Sequence, residues 1–174
     1  MLADDEAVEE FVGGTVYQAF LSATNYHRWH SPVAGTIVRA FLIDGTYYSD
    51  ADSQGSDPGE QSHSQGYLSH VASRAVFIIR ADNPAIGLVA FVPVGMMEVS
   101  SCVIHPSVEP GHHVAKGEEL GYFQFGGSTH CLVFGPGVIA DFALTAIPQP
   151  HDPDAPLVPV RSRLATVSPK APPD

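Results

Sequence analysis

The chain has 174 residues, 44% of them hydrophobic and 16% charged, with a formal net charge of −11. That length fits one ordinary domain with a core of its own. The acidic balance argues against nucleic acid as a partner and against purely electrostatic adsorption to anionic lipid, since both need a basic footprint. Two cysteines, Cys102 and Cys131, cannot build a disulfide framework and suit a reducing compartment. No apolar run approaches the ~18 residues of a membrane-spanning helix. The opening residues Met1 to Glu10 are acidic and lack the basic-then-apolar order of a signal peptide. These features place the chain inside the cell, in the cytoplasm or peripherally on a membrane.

Residues 1–10 read as an acidic N-terminal tail, mobile or helical. Residues 11–24 are apolar around a Gly-Gly break, as a strand or a short helix. Residues 36–43 (TIVRAFLI) are β-branched and aromatic, so a strand is expected, closed by an Asp44-Gly45 turn. Residues 49–66 have almost no apolar content and read as a mobile surface loop able to act as a lid. Three further strands are expected at Ala75–Arg80, Ile86–Val94 and Met97–Ile104, with breaks at Asp82-Asn83-Pro84 and Gly95. Residues 111–121 (GHHVAKGEELG) show tight turns around a short strand. Residues 122–134 alternate, break at Gly126-Gly127 and resume. From Pro148 the chain is proline-rich, which predicts a disordered or loosely packed tail over 148–174. The expected architecture is mostly β with minor α: one compact barrel-like or sandwich-like domain over residues 11–147.

Three segments can carry chemistry. His27 and His30, three apart before Pro32, can converge on one site, and imidazole moves protons near neutral pH. The bland alternative has one of them capping a turn and the other packing on Trp29. Gly126-Gly127-Ser128-Thr129-His130 puts flexible backbone before a hydroxyl, which exposes the Gly127 carbonyl to Ser128; the alternative is an ordinary Gly-Gly hairpin. Gly111 to Leu120 (GHHVAKGEEL) is similar in shape to the turns of biotinyl and lipoyl domains. No Lys beside Met96-Met97-Glu98 supplies their modifiable tip, so this is a hint of hairpin architecture and not of carrier function. Nine His invite a metal reading, but their spacing and that of the two Cys match no ligand set, and no metal is expected.

Together these segments resemble the phosphatidylserine decarboxylase family. Tyr26 to Gly35 (YHRWHSPVAG) is similar to its YHRxHxPxxG segment, and Lys116 to Phe123 (KGEELGYF) to its KGEExGxF segment. Gly126-Gly127-Ser128-Thr129 resembles its processing site, more usually Leu-Gly-Ser-Thr. Tyr67 to Arg74 and Val94 to Val99 fit the fungal-type members, some of which act on tryptophan or related amino acids. The resemblance covers roughly residues 11–135.

The resemblance implies a self-made cofactor. Ser128 attacks the carbonyl of Gly127, the amide becomes an ester, and elimination leaves dehydroalanine, which loses ammonia to give a pyruvoyl group. The products are a β chain of residues 1–127 and an α chain of residues 128–174. The pyruvoyl group formed from Ser128 serves as the electron sink for loss of CO2. His30 is implied as the helper of self-cleavage and His27 as the group serving decarboxylation or proton return. The implied reaction converts phosphatidylserine to phosphatidylethanolamine. The alternative is a soluble aromatic amino acid such as tryptophan. Partners are then a phospholipid or a small amino acid, the chain's own two fragments, and a second copy in a homodimer. The family's processing His is partnered by an Asp several tens of residues upstream; here Asp4 and Asp5 match nothing in that pattern. That leaves a further alternative, a truncated, unprocessed and non-catalytic member.

Overall fold

The computed structural model describes residues 1–22, 24–47, 49, 64–96, 101–124, 128–147 and 157–169. Its strands are β1 (Thr15–Leu21), β2 (Arg28–His30), β3 (Gly35–Ile43), β4 (Arg74–Ala81), β5 (Leu88–Gly95), β6 (Ser101–Ile104), β7 (His113–Val114), β8 (Glu119–Gln124), β9 (Ser128–Phe134), β10 (Ile139–Phe142) and β11 (Ala165–Val167). One α-helix, α1 (Gln65–Val71), and two short 3₁₀ turns accompany them. The expected mostly-β architecture is present in its sandwich-like form. A six-stranded antiparallel sheet runs β1-β9-β5-β4-β3-β7, and a three-stranded sheet runs β2-β8-β6. Strands β1 and β7 stand at opposite edges, so the large sheet does not close into a barrel.

The central strands β4 and β5 carry the longest apolar runs, and both are buried on both faces. Such a strand reads as continuous hydrophobicity rather than alternation. Ala75, Phe77 and Ile79 point inward, where they meet Trp29, Leu120 and Phe123 of the small sheet. Val76 and Ile78 point outward, where Leu68 and Ala72 cover them together with Leu2, Ala7 and Phe11.

That outer cover changes the reading of the acidic opening. Residues Glu6–Phe11 form a 3₁₀ helix whose first N–H groups are capped by Asp5, which accepts from Ala7 N–H at 2.8 Å. Asp5 also receives a two-pronged bond from Arg39, Nε to Oδ2 at 2.7 Å and Nη2 to Oδ1 at 2.8 Å. The apolar residues Leu2, Ala7 and Phe11 face the sheet and the acids face water or Arg39. The proline-rich stretch likewise contributes a strand: Ala165–Val167 pairs with Ile139–Phe142, because Ala-Thr-Val is a short β-prone island between prolines. The KGEE turn joins strands of different sheets, since β7 pairs with β3 and β8 pairs with β2 and β6. It is therefore a crossing between layers and not a simple hairpin. Of the lid expected over 49–66, Gln65 and Gly66 instead open α1, and residues 50–63 lie outside the described residues, as do the strand start at 97–100, the Gly126-Gly127 break and residues 148–156.

Candidate active site

Ser128 is the first residue of β9, in register with Leu21 on one side and Gly95 on the other. Its side chain shares a face with His130, Leu132 and Phe134, which places it on the inner face of the large sheet. The residue is fully buried, and its Oγ has no hydrogen-bond partner among the described residues. Its neighbour Gly127 lies outside the described residues.

The Tyr26–Pro32 segment forms β2 of the small sheet, where Arg28 pairs with Tyr122 and Trp29 with Gly121. Gly121 is required there. A Cβ at that position would meet the Val103 carbonyl oxygen at 2.2 Å and the Trp29 ring at 2.7 Å. The KGEELG motif thus has a physical reading, residue by residue. Gly117 takes a φ of +82°, which turns the chain. Glu118 Oε2 accepts from Ala115 N–H at 2.8 Å and closes that turn. This bond and His112 beside it hold the Glu118 carboxyl below its ordinary value. Glu119 pairs with Arg28 at 2.5 Å, and Leu120 is fully buried in the core.

The two histidines of the motif have opposite surroundings. His30 Nδ1–H donates to the Gly117 carbonyl at 2.9 Å, which in the neutral ring leaves Nε2 as an acceptor; the Tyr26 hydroxyl fills it at 2.6 Å. His27 Nδ1–H donates to the Asn25 carbonyl at 2.6 Å, but its Nε2 is buried and has no partner among the described residues. His27 thus keeps a free lone pair and His30 does not. No carboxylate among the described residues bonds to either ring, and neither ring bonds to Ser128. Asp5, which matches nothing in the family's pattern, is committed to Arg39 and to its helix cap. A cleft of about 310 Å³ opens beside His27, lined by Asn25, Tyr26, Arg28, Tyr122 and Phe123.

A run of aromatic contacts joins this region to the Ser128 strand. His27 meets Phe123 edge-on at 6.2 Å between ring centres, Phe123 meets Trp29 at 4.9 Å, and Trp29 meets Phe77 at 6.0 Å. Phe77 stacks on Phe91 at 5.9 Å, and Phe91 meets His130 edge-on at 5.6 Å. The run spans both sheets and ends two residues from Ser128. Such pairs contribute about 0.5–1.5 kcal/mol each beyond their area burial. His130 had no role on sequence grounds. The signal that finds it is the two-residue period of a strand, counted from Ser128.

The sequence matches the phosphatidylserine decarboxylase family over residues 1–149. It is 47% identical over 150 residues to decarboxylase iboD of Amanita muscaria, covering 80% of this chain and 42% of that protein. It is 41% identical over 140 residues to an L-tryptophan decarboxylase of Psilocybe cubensis, covering 76% of this chain and 31% of that one. It is 35% identical over 138 residues to phosphatidylserine decarboxylase proenzyme 3 of Schizosaccharomyces pombe, covering 79% of this chain and 13% of that one. The chain therefore spans less than half the length of these relatives. A family match over most of the chain, the YHRWH and KGEELG segments paired in one small sheet, and a buried free hydroxyl in the GGST segment lead to one conclusion: the chain belongs to the phosphatidylserine decarboxylase family.

Proposed function

We propose that the chain provides the reactive part of a pyruvoyl-dependent decarboxylase that opens itself between Gly127 and Ser128. The observation that carries this reading is the Ser128 hydroxyl, fully buried at the mouth of β9 and without a hydrogen-bond partner among the described residues. Leaving a buried hydroxyl unpaired costs about 1–3 kcal/mol, and a group kept free to attack explains why the fold tolerates it. The same orphaned oxygen fits the precursor of a pyruvoyl group.

The step balances as follows. Ser128 Oγ bonds to the Gly127 carbonyl carbon, the C–N bond breaks, and the nitrogen takes a proton. Loss of the Ser128 Cα proton with cleavage of Cβ–Oγ then releases Gly127 as a carboxylate and leaves dehydroalanine. Water enters and ammonia leaves, which gives the pyruvoyl group; when formed it supplies the electron sink for loss of CO2. The resemblance assigns help in self-cleavage to His30. Among the described residues His27 Nε2 has no partner, which supports the role in decarboxylation or proton return that the resemblance gives it, while His30 holds Tyr26 and the Gly117 turn.

Phosphatidylserine is the substrate named by the family, and a free aromatic amino acid is the second reading. The 41% identity to the tryptophan decarboxylase, against 35% to the phosphatidylserine decarboxylase, favours the amino acid. The fragments 1–127 and 128–174 remain each other's partners.

A denaturing gel of the purified chain tests the reading. Two pieces matching a cut after Gly127 are expected, and Ser128→Ala should stay whole. His30→Ala should slow the cut by about 10²–10⁴, the usual worth of a general base, and more than His27→Ala does. A wild-type chain that stays whole and carries no trappable carbonyl would favour the unprocessed, non-catalytic alternative. A cut that survives Ser128→Ala overturns the choice of nucleophile.

A further inference from the structure

The Gly117 carbonyl accepts two hydrogen bonds. One comes from His30 Nδ1–H at 2.9 Å and the other from Arg161 Nη2 at 2.6 Å. A carbonyl oxygen has two lone pairs, so these donors fill it. Arg161 also lies against the turn itself: a Cβ on Gly117 would meet its Nε at 3.0 Å and its Nη2 at 3.1 Å. The guanidinium thus covers the bare α-carbon of the residue whose oxygen orients His30. It pairs with no carboxylate among the described residues, although Asp and Glu number 19 in the chain.

The backbone builds this placement from both sides. Arg161 holds a φ of +67°, which a residue with a Cβ rarely adopts, in a turn closed by Ser162 N–H to the Pro159 carbonyl at 3.1 Å. Just beyond it, Leu164 packs against the core, its carbonyl accepts from Ala143 N–H at 2.7 Å, and β11 pairs with β10. Opposite, Gly117 N–H donates to the Ser31 carbonyl and Ser31 N–H to the Glu118 carbonyl, both at 2.8 Å, which holds the turn beside His30. The family match ends at residue 149, so it assigns Arg161 no role.

Resting on the reading above that His30 helps the cut before Ser128, we propose that Arg161 is a positioning residue for His30. By fixing the Gly117 carbonyl, the guanidinium keeps the ring proton on Nδ1 and leaves Nε2 as the acceptor. The partner of one ring nitrogen decides what the other can do. No carboxylate takes that place among the described residues; a carbonyl does, steadied by a cation from the downstream fragment. Closing the turn alone would not call for a guanidinium, since backbone bonds to Ser31 already close it.

The test uses the full chain carrying Ser128→Ala, with 15N-labelled histidines and His30→Asn assigning the ring signals. Arg161→Gly removes the guanidinium and suits the positive φ, so the turn keeps its shape. It is expected to shift the His30 Nδ1 signal and mix the two ring tautomers. Arg161→Lys, or millimolar guanidinium chloride added to Arg161→Gly, should bring the signal back. With Ser128 intact, Arg161→Gly should slow the cut after Gly127 by roughly three- to tenfold, the worth of one hydrogen bond, and Arg163→Ala should not slow it. A His30 signal unmoved by Arg161→Gly overturns the proposal. A shift that neither Arg161→Lys nor guanidinium reverses makes Arg161 a structural group only and overturns it too, as does an unchanged rate of cutting. A wild-type chain that stays whole overturns the reading of Ser128 instead, and the ring signal still decides on Arg161.

Discussion

Ser128 and Thr129 are adjacent hydroxyl residues on one strand, both fully buried, and they point to opposite faces of the same sheet. On the outer face, Thr129 Oγ1 donates to the Ala19 carbonyl at 3.0 Å and accepts from Gln18 Nε2 at 3.3 Å. On the inner face, Ser128 Oγ finds no partner among the described residues. The outer face is roofed by α1 and the N-terminal turn, and its buried polar groups are spoken for: Arg74 donates to the carbonyls of Met1 and Ala72 at 2.7 and 2.8 Å. The inner face leaves Ser128 Oγ, His27 Nε2 and Trp29 Nε1 without partners among the described residues. A fold able to satisfy its hydroxyls on one side and not on the other is treating the two sides differently. Under the proposed reading, the unsatisfied hydroxyl marks where the inner face departs from a purely structural role.

The largest way to break this contrast is Phe77→Ala. Phe77 is fully buried and links Trp29 of the small sheet to Phe91 of the large one. Its loss should cost about 3–5 kcal/mol in denaturant unfolding and slow the cut after Gly127, because both histidine ends of the run lose their support. The contrast itself is sharpened by Thr129→Val set against Ser128→Ala. Thr129→Val should lower stability by about 1 kcal/mol, since Gln18 and the Ala19 carbonyl lose a partner, and leave the cut in place. Ser128→Ala should leave stability unchanged or raise it while abolishing the cut. Equal destabilisation by the two variants would mean that both hydroxyls are ordinary structural groups.

The smallest effect belongs to the outer roof. Burial raises the pKa of Asp5, but the bonds from Arg39 and from Ala7 N–H outweigh it and hold the carboxyl below its usual value. A carboxyl depressed in the folded state contributes stability that is present above its unfolded pKa and is lost as pH falls through the folded one. The acid limb of an unfolding profile, below about pH 4, should therefore be shallower in Asp5→Asn. The difference from wild type should be largest near neutral pH and vanish in acid.

The central strands were legible because the interior of β4 from Ala75 to Ile79 and nearly all of β5 are apolar, a pattern that needs no knowledge of partners. The YHRWH and KGEELG segments were legible as motifs, though not their reason: Trp29 lies over the bare α-carbon of Gly121, a contact across nearly a hundred residues. The roof formed by Leu2, Ala7 and Phe11 was hidden, because acidic composition masks three apolar residues on one side of a short turn. The strand Ala165–Val167 was hidden by its prolines, and its partner β10 shows no sign of needing it. Of the site, the orientation of the His27 and His30 rings rests on Nδ1 bonds to the Asn25 and Gly117 carbonyls, backbone groups with no side-chain signature, whereas the Tyr26 hydroxyl that fills His30 Nε2 lies within the YHRWH motif itself.

Strand β9 hydrogen-bonds to β1 on one flank and β5 on the other, seven residue pairs on each. Further on, Arg161 reaches back to donate to the Gly117 carbonyl at 2.6 Å. A backbone opened just before β9 would thus leave its downstream piece laced between two ladders of the upstream one. Scission here would be a change of end-group chemistry without a change of shape, and the newborn terminus would stay pinned where the old peptide link had been.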